Sequence, residues 1–244
     1  MRLFGLIGYP LSHSFSQKYF TEKFSRENLG DCSYLNFSIQ GIEELKGILK
    51  SNPNLEGINV TIPHKENIIR FLDWKNPVVE QIQACNCIRI REGRLFGYNT
   101  DVLGFENSLM KKLNPRHDRA LILGTGGAAK AVAYVLNKLG IPFQLVSRRK
   151  NLTASLMTYG ELTTEKIREY PLIINTTPIG MYPNIDQCPD LPYEAIGKGH
   201  YLFDLIYNPG KTQFLQKGER GGAIVENGEE MLVLQAEESW KIWN

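Results

Sequence analysis

Cysteine is sparse in this chain: its 244 residues include four, at positions 32, 85, 87 and 188. Cys85-Asn86-Cys87 has no second Cys or His pair nearby, which excludes a zinc site or a redox C-x-x-C motif, so the expectation is reduced, mostly buried thiols. Charge of one sign is missing as well. Lys and Arg total 28 against 26 Asp and Glu, a net +2, and the longest like-charge run is Arg148-Arg149-Lys150. That lacks the concentrated basic face of a nucleic-acid module. Long apolar runs are absent: Leu3-Phe4-Gly5-Leu6-Ile7 follows a single Arg and is cut short by Gly8 and Pro10. Such a stretch is too short for a signal h-region and far short of a membrane span, so no membrane partner and a cytoplasmic location are expected. Low-complexity tracts, internal repeats and flexible linkers are absent too. What remains is an ordinary globular composition, 42% hydrophobic and 22% charged. A chain of this length buries about 70–75% of its unfolded surface and needs no metal to hold its core.

The apolar periodicity alternates strand and helix through the first hundred residues. Strands are predicted over Leu3–Ile7, Tyr34–Ile39 and Leu55–Ile62, and helices over Phe15–Phe24 and Ile42–Leu49, with Pro63 suited to the first turn of another helix. Ile88–Arg91 and Arg94–Tyr98, joined by Glu92-Gly93, read as a hairpin. A helical connector, Val102–Leu113, leads to a second alternation. It comprises strands at Ala120–Leu123, Phe143–Val146, Leu172–Thr176 and Tyr201–Ile206, a helix at Ala128–Leu139 and an amphipathic end at Glu229–Trp243. The pattern predicts an α/β protein of two lobes with helix-covered parallel sheets.

Gly124-Thr125-Gly126-Gly127-Ala128-Ala129 fits G-x-G-x-x-A between an apolar strand and a helix. Gly124 allows a tight turn, Gly126 lets backbone approach a pyrophosphate and Ala129 permits close packing. Free N–H groups at the helix start, from Gly127 and Ala128, favour the anion. The alternative is a Gly-rich turn with no ligand. The next strand ends at Ser147, 23 positions after Gly124, where a carboxylate would bind the ribose hydroxyls of NAD. Here stand Ser147, Arg148 and Arg149, and guanidinium groups suit a 2′-phosphate, which favours NADP over NAD. A solvated basic turn is the plainer alternative.

Asn59-Val60-Thr61-Ile62-Pro63-His64-Lys65 crosses from strand to helix, with Asn59 and Thr61 on the face opposite Ile58, Val60 and Ile62, toward solvent or a cleft. Lys65 falls just past the strand's C-terminal end, where open α/β sheets place ligands. Taken alone it reads as an exposed helix lysine. Asp101, in Gly97-Tyr98-Asn99-Thr100-Asp101, reads equally as the N-cap of the following helix.

With Ser12-His13-Ser14-Phe15-Ser16, these stretches resemble the shikimate dehydrogenases, whose sequences carry S-H-S-x-S, N-V-T-x-P-x-K, N-T-D-x-x-G and a Gly-rich NADP loop in that order. Further matches are Asn86, Asn175-Thr176-Thr177-Pro178-Ile179-Gly180-Met181, Asp204-Leu205-Ile206-Tyr207-Asn208-Pro209 and Asn227-Gly228-Glu229 through Gln235. The resemblance implies that Ser14 and Ser16 hold the substrate carboxylate. It implies polar contacts to the ring hydroxyls and carboxylate from Thr61, Asn86, Asp101 and Gln235, with Tyr207 nearby. Lys65 and Asp101 match the catalytic dyad, Met181 a residue beside the nicotinamide, and Thr176 and Gly228 further cofactor contacts. Two departures stand out: Gln17 takes the place of a common Pro, and Ser147-Arg148-Arg149 replaces Asn-Arg-Thr, which leaves Arg148 as first choice for the 2′-phosphate.

The chemistry agrees with that assignment. Hydride reduction of a ring ketone builds charge on an oxygen that must receive a proton, and a cationic donor such as Lys65 lowers the barrier. A carboxylate such as Asp101 would orient the ammonium. His13 and His64 show no metal-ligand spacing, and no metal is expected. The expectation is a two-lobed enzyme with its active site in the cleft, reducing 3-dehydroshikimate to shikimate with NADPH in aromatic amino-acid biosynthesis, as a monomer or homodimer. Residues 1–101 plus 229–244 would bind substrate, and 102–228 would form a Rossmann-like NADP domain. The rivals are a quinate/shikimate dehydrogenase using NAD and a sensor that binds NADP(H) or a shikimate-like acid without turnover.

Overall fold

The computed structural model describes residues 1–11, 14–148 and 156–244. Ser12, His13 and Arg149 lie outside the described residues. The chain divides into two compact units, Met1–Thr100 with Ala236–Asn244, and Asp101–Gln235.

The first unit runs β1 (Arg2–Gly8), α1 (Phe15–Arg26), β2 (Cys32–Ser38), α2 (Leu45–Ser51), β3 (Leu55–Val60), β4 (Trp74–Lys75), α3 (Pro77–Ile82), β5 (Cys87–Arg91) and β6 (Arg94–Tyr98). Its sheet has the order β2-β1-β3-β5-β6-β4. β1 pairs in parallel with β2 and β3, whereas β3–β5 and β5–β6 are antiparallel. β1 is central and buried from Leu3 to Gly8, as expected of a parallel strand covered on both faces. The hairpin turns at Glu92 and Gly93, both at positive φ (51° and 73°), the geometry that matches a two-residue turn to strand twist.

One face of this sheet is covered by aromatic packing. Phe4 stacks on Trp243 at 5.0 Å between centroids and Phe20 on Tyr34 at 4.6 Å. The Trp243 indole N–H donates to the Ile88 carbonyl at 3.0 Å, so the ring satisfies its polar edge while filling the core. Gly57 on β3 faces that ring, and a Cβ there would come within 2.4 Å of Trp243 Nε1.

The second unit runs α4 (Asp101–Met110), β7 (Ala120–Leu123), α5 (Gly127–Lys138), β8 (Phe143–Ser147), β9 (Leu156–Thr158), α6 (Thr164–Glu169), β10 (Leu172–Asn175), β11 (Tyr201–Asp204), α7 (Gln213–Arg220) and β12 (Ile224–Glu226). Its sheet is parallel throughout, in the order β12-β11-β10-β7-β8-β9. Counted from β7, that is 3-2-1-4-5-6, the order of doubly wound dinucleotide-binding sheets. β7, β10 and β11 are fully buried. α8 (Glu229–Trp243) is divided by its contacts: the turns up to Gln235 count with the second unit and those from Ala236 with the first, whereas the sequence expectation gave all of it to the first. Gly104 of α4 is the reason, since a Cβ there would lie 2.6 Å from the Met231 carbonyl.

All four cysteines are free thiols, but only Cys85 and Cys87 are buried, which is fewer than expected. Cys32 opens an edge strand and Cys188 sits in a loop, so both stay half-buried. Replacing Gly57 by Ala forces its Cβ into a ring held by stacking and a hydrogen bond. Unfolding free energy should fall by about 1–3 kcal/mol, the usual cost of overpacking, as measured by urea denaturation.

Candidate active site

In the first unit the site residues gather where β1 and β3 end. Asn59 is expected on the face toward solvent or a cleft; instead it is 4% exposed and fully bonded. It accepts from the Tyr34 hydroxyl at 2.9 Å and donates to Ser239 Oγ at 2.8 Å, so both ends of this buried amide are paired. Burial pushes the Tyr34 phenol well above its usual range, so this donor stays protonated.

The helix expected from Pro63 does not form. The chain turns instead, with helical geometry first at a short 3₁₀ segment, Asn67–Phe71. Hydrogen bonds from outside the segment account for this: Tyr9 N–H donates to the Ile62 carbonyl at 3.0 Å, and Cys85 N–H to the Lys65 carbonyl at 2.8 Å. The His64 ring, 2% exposed, bonds the Ile39 carbonyl at 2.9 Å through Nε2. Lys65 is therefore a half-buried turn residue and not an exposed helix lysine. A Cβ on Gly8 would come within 2.3 Å of the Thr61 methyl, so glycine lets the two strand ends close up.

Ser14 occupies the N-cap position of α1 with extended backbone, yet its side chain makes no cap bond. Its Oγ is buried without a hydrogen-bond partner. Ser16, 8% exposed, lies in the first turn of α1 and is bonded to the Tyr34 phenol. Gln17, standing in place of the family's proline, accepts from Asn36 Nδ2 at 2.9 Å, and the helix still starts at Phe15. Asn86, 3% exposed, accepts from Thr100 N–H at 2.6 Å and donates to Thr100 Oγ1 at 3.0 Å.

In the second unit Asp101, 5% exposed, is the first residue of α4 and not a residue preceding it. Gln235, 7% exposed, packs against Gly104, one turn from Asp101, and donates to the Leu232 carbonyl at 2.9 Å. Tyr207 is half-buried in the loop after β11.

The crevice of this sheet lies between β7 and β10, where the strand order reverses. Gly124 follows β7 at φ 115°, and a Cβ on it would come within 2.6 Å of Thr176 Oγ1, which follows β10. Thr176 donates through N–H (3.0 Å) and Oγ1 (2.7 Å) to the Leu123 carbonyl, fixing the two strand ends together. Gly126 caps the 12-residue α5 with no side-chain bond, and no atom lies within 4 Å of where its Cβ would be. Gly127 and Ala128 supply the first N–H groups of α5, while Ala129 is 1% exposed against the sheet. An open approach to free helix N–H groups, aligned with the helix dipole, fits a pyrophosphate. Ser147 ends β8 and Arg148 beyond it is exposed. Met181 is 41% exposed, and Gly228 donates to the Ile206 carbonyl at 3.0 Å.

A curated relative from Caldicellulosiruptor saccharolyticus, named shikimate dehydrogenase (NADP(+)), is 38% identical over 260 residues, covering 100% of this chain and 92% of its own. The chain belongs to the shikimate dehydrogenase family. Residues 6–88 match the family described as shikimate dehydrogenase substrate binding domain. Among solved structures, shikimate dehydrogenase 1 from Peptoclostridium difficile superposes with a TM-score of 0.85 at 38% identity, covering 100% of this chain and 91% of that one. The Thermus thermophilus enzyme in complex with NADP(H) and shikimate gives 0.84 at 33% identity, covering 100% and 94%. The family resemblance carried by the motifs and the two-unit α/β architecture both hold.

Two features of the site escape the sequence reading: the amide of Asn59 as a buried junction, and the carboxyl of Asp204. Burial pushes the Asp204 carboxyl up to about 7 against the pull of three hydrogen bonds. The available signal was a polar residue at the last positions of an apolar strand. Ser14, at an N-cap position without a cap bond, gives a distinct forecast. Because its Oγ makes no cap bond, Ser14→Ala should leave unfolding free energy within about 0.5 kcal/mol of wild type. If Ser14 holds the carboxylate of an acid substrate, as the resemblance implies, KM for that acid should rise roughly 10–150-fold in the same variant. Thermal melts and steady-state kinetics on the same preparation separate the two roles.

Proposed function

We propose that this chain catalyses the reversible, NADPH-dependent reduction of 3-dehydroshikimate to shikimate in aromatic amino-acid biosynthesis. The reading is carried by one observation: the match to NADP-dependent shikimate dehydrogenases runs through both units, over 100% of the chain. When bound, NADPH supplies the hydride. Lys65 Nζ delivers a proton to the carbonyl oxygen as it becomes a hydroxyl, and in the reverse direction takes it back. Asp101, at the start of α4, binds a ring hydroxyl of the substrate. Ser14 and Ser16 receive the carboxylate; the unpartnered Ser14 Oγ is a donor available for it. Thr61, Asn86, Tyr207 and Gln235 serve the ring hydroxyls. Gly124, Gly126 and the first turn of α5 cradle the pyrophosphate, Arg148 pairs with the 2′-phosphate, and Thr176, Met181 and Gly228 line the path to the nicotinamide. We read the chain as cytoplasmic, in keeping with four unpaired thiols.

Two substitutions test the assignment. Lys65→Ala should lower kcat by about 10²–10⁴ in a protein that melts like wild type, as expected for a general acid. Near-normal turnover would contradict the role. Arg148→Ala should weaken NADP⁺ binding by about 1.5–3 kcal/mol, or roughly 10–150-fold, through loss of a charge-assisted pair. NAD⁺ binding should be nearly unaffected, and titration of both nucleotides into both proteins gives the comparison.

A further inference from the structure

The carboxyl of Asp204 is 0% exposed at the end of β11, and the chemistry above does not use it. Every group bonded to it is a donor. Oδ1 accepts from Asn175 Nδ2 at 3.0 Å and from Ile206 N–H at 3.1 Å, and Oδ2 accepts from Thr212 Oγ1 at 2.6 Å. Those three partners belong to three segments: the end of β10, the loop after β11 and the cap of α7. Asn175 relays the constraint. Its Oδ1 accepts from Thr177 N–H at 3.0 Å and Thr177 Oγ1 at 2.7 Å, and Thr177 Oγ1 accepts from Ile179 N–H at 3.3 Å. The backbone closes the same junction, since Leu205 N–H donates to the Asn175 carbonyl at 3.0 Å. A continuous set of bonds thus runs from Asp204 through Asn175 and Thr177 to Ile179, two residues before Met181.

We propose that Asp204 is a positioning residue for the reaction: its ionised carboxylate, by gathering three donors, fixes the Asn175–Met181 loop in the form that receives the nicotinamide end of NADP(H). The inference rests on the cofactor reading of that loop. Three donors converging on one carboxyl favour the acceptor-only, ionised form; a proton on Oδ2 would reverse the bond to the Thr212 hydroxyl, and one on Oδ1 would compete with the Asn175 and Ile206 donors. Burial, which raises this carboxyl to about 7, brings that change into the neutral range. Its causes are burial and the three bonds, with no charged neighbour among them. Of the titratable groups on the packed elements, Tyr193 senses the Asp204 charge, Lys217 donates to Cys188 Sγ at 3.2 Å, and Lys211 pairs with Glu219 at 2.8 Å.

The test compares wild type with Asp204→Asn, Asp204→Ala and Met181→Ala, using NADP⁺ binding from pH 6 to 8.5, KM for each substrate, and melts. In wild type NADP⁺ should bind more weakly as pH falls through about 7. In Asp204→Asn, whose amide cannot titrate, that part of the dependence should vanish. The 2′-phosphate titrates in both proteins, so the ratio of their affinities isolates Asp204. Asp204→Ala should raise KM for NADP⁺ roughly tenfold or more while KM for shikimate moves less than about twofold. Should Asp204→Ala not fold, the pH ratio of Asp204→Asn decides. An unchanged ratio across pH, or equal shifts in both KM values, overturns the proposal. If Met181→Ala impairs the cofactor kinetics and the Asp204 variants do not, the positioning role alone falls. If none of them does, the cofactor reading of the loop falls with it.

Discussion

Asn59 near the end of β3 and Asn175 at the end of β10 are 4% and 0% exposed, and at both places a side-chain amide takes over hydrogen bonding where the sheet stops. An open α/β sheet receives its ligands beyond the C-terminal ends of its strands. Those ends must therefore hold backbone polar groups close to a binding surface, without a neighbouring strand to pair them. Side chains fill the gap. In the first unit Tyr34, Asn59 and Ser239 link β2, β3 and α8; in the second, Asn175, Asp204 and Thr212 link β10, β11 and α7. Such networks are rigid only when every member is satisfied, and the described partners of both amides meet that condition.

From this constraint the functional segments follow. The turn carrying Lys65 cannot become a helix because Tyr9, Ile39 and Cys85 bond it from three directions. The Gly124 turn stands beside Thr176 because threonine closes the β7 and β10 ends onto one carbonyl. Glycine is required at Gly8 and Gly124 for close approach, whereas Gly126 meets nothing and leaves the approach to the start of α5 open. Stability and chemistry make opposite demands on Asp204. Its carboxyl sits higher in the folded chain than its usual 3.8, so the stability it contributes is complete below that value and is lost as pH rises to about 7. The ionised form that organises the loop is thus the less stable one.

Much of this architecture was legible in the residues. Ala120–Leu123 and Glu229–Trp243 were read with the observed limits, because an apolar strand bounded by Gly124 and a helix of clear periodicity leave little latitude. The G-x-G-x-x-A turn was legible because a dinucleotide crevice needs those small residues in that order. The short elements were not: β4, α3, α6 and β12 run only two to six residues, too few for a period to show. The turn at Pro63 escaped because proline is equally at home at the start of a helix, and only distant partners decide the matter. Asn59 read as a face residue because alternation gives a side chain's direction and not what lies in that direction. Asp204 stood out only as a polar residue ending the apolar run of β11; the donors that surround its carboxyl come from distant segments and leave no local pattern.

The most direct measurement is an activity matrix that follows nicotinamide absorbance with shikimate or quinate and with NADP⁺ or NAD⁺. The account predicts turnover with shikimate and NADP⁺ that far exceeds the three other combinations. A folded, NADP⁺-binding protein that turns over none of them would contradict it, as would equal rates with NAD⁺.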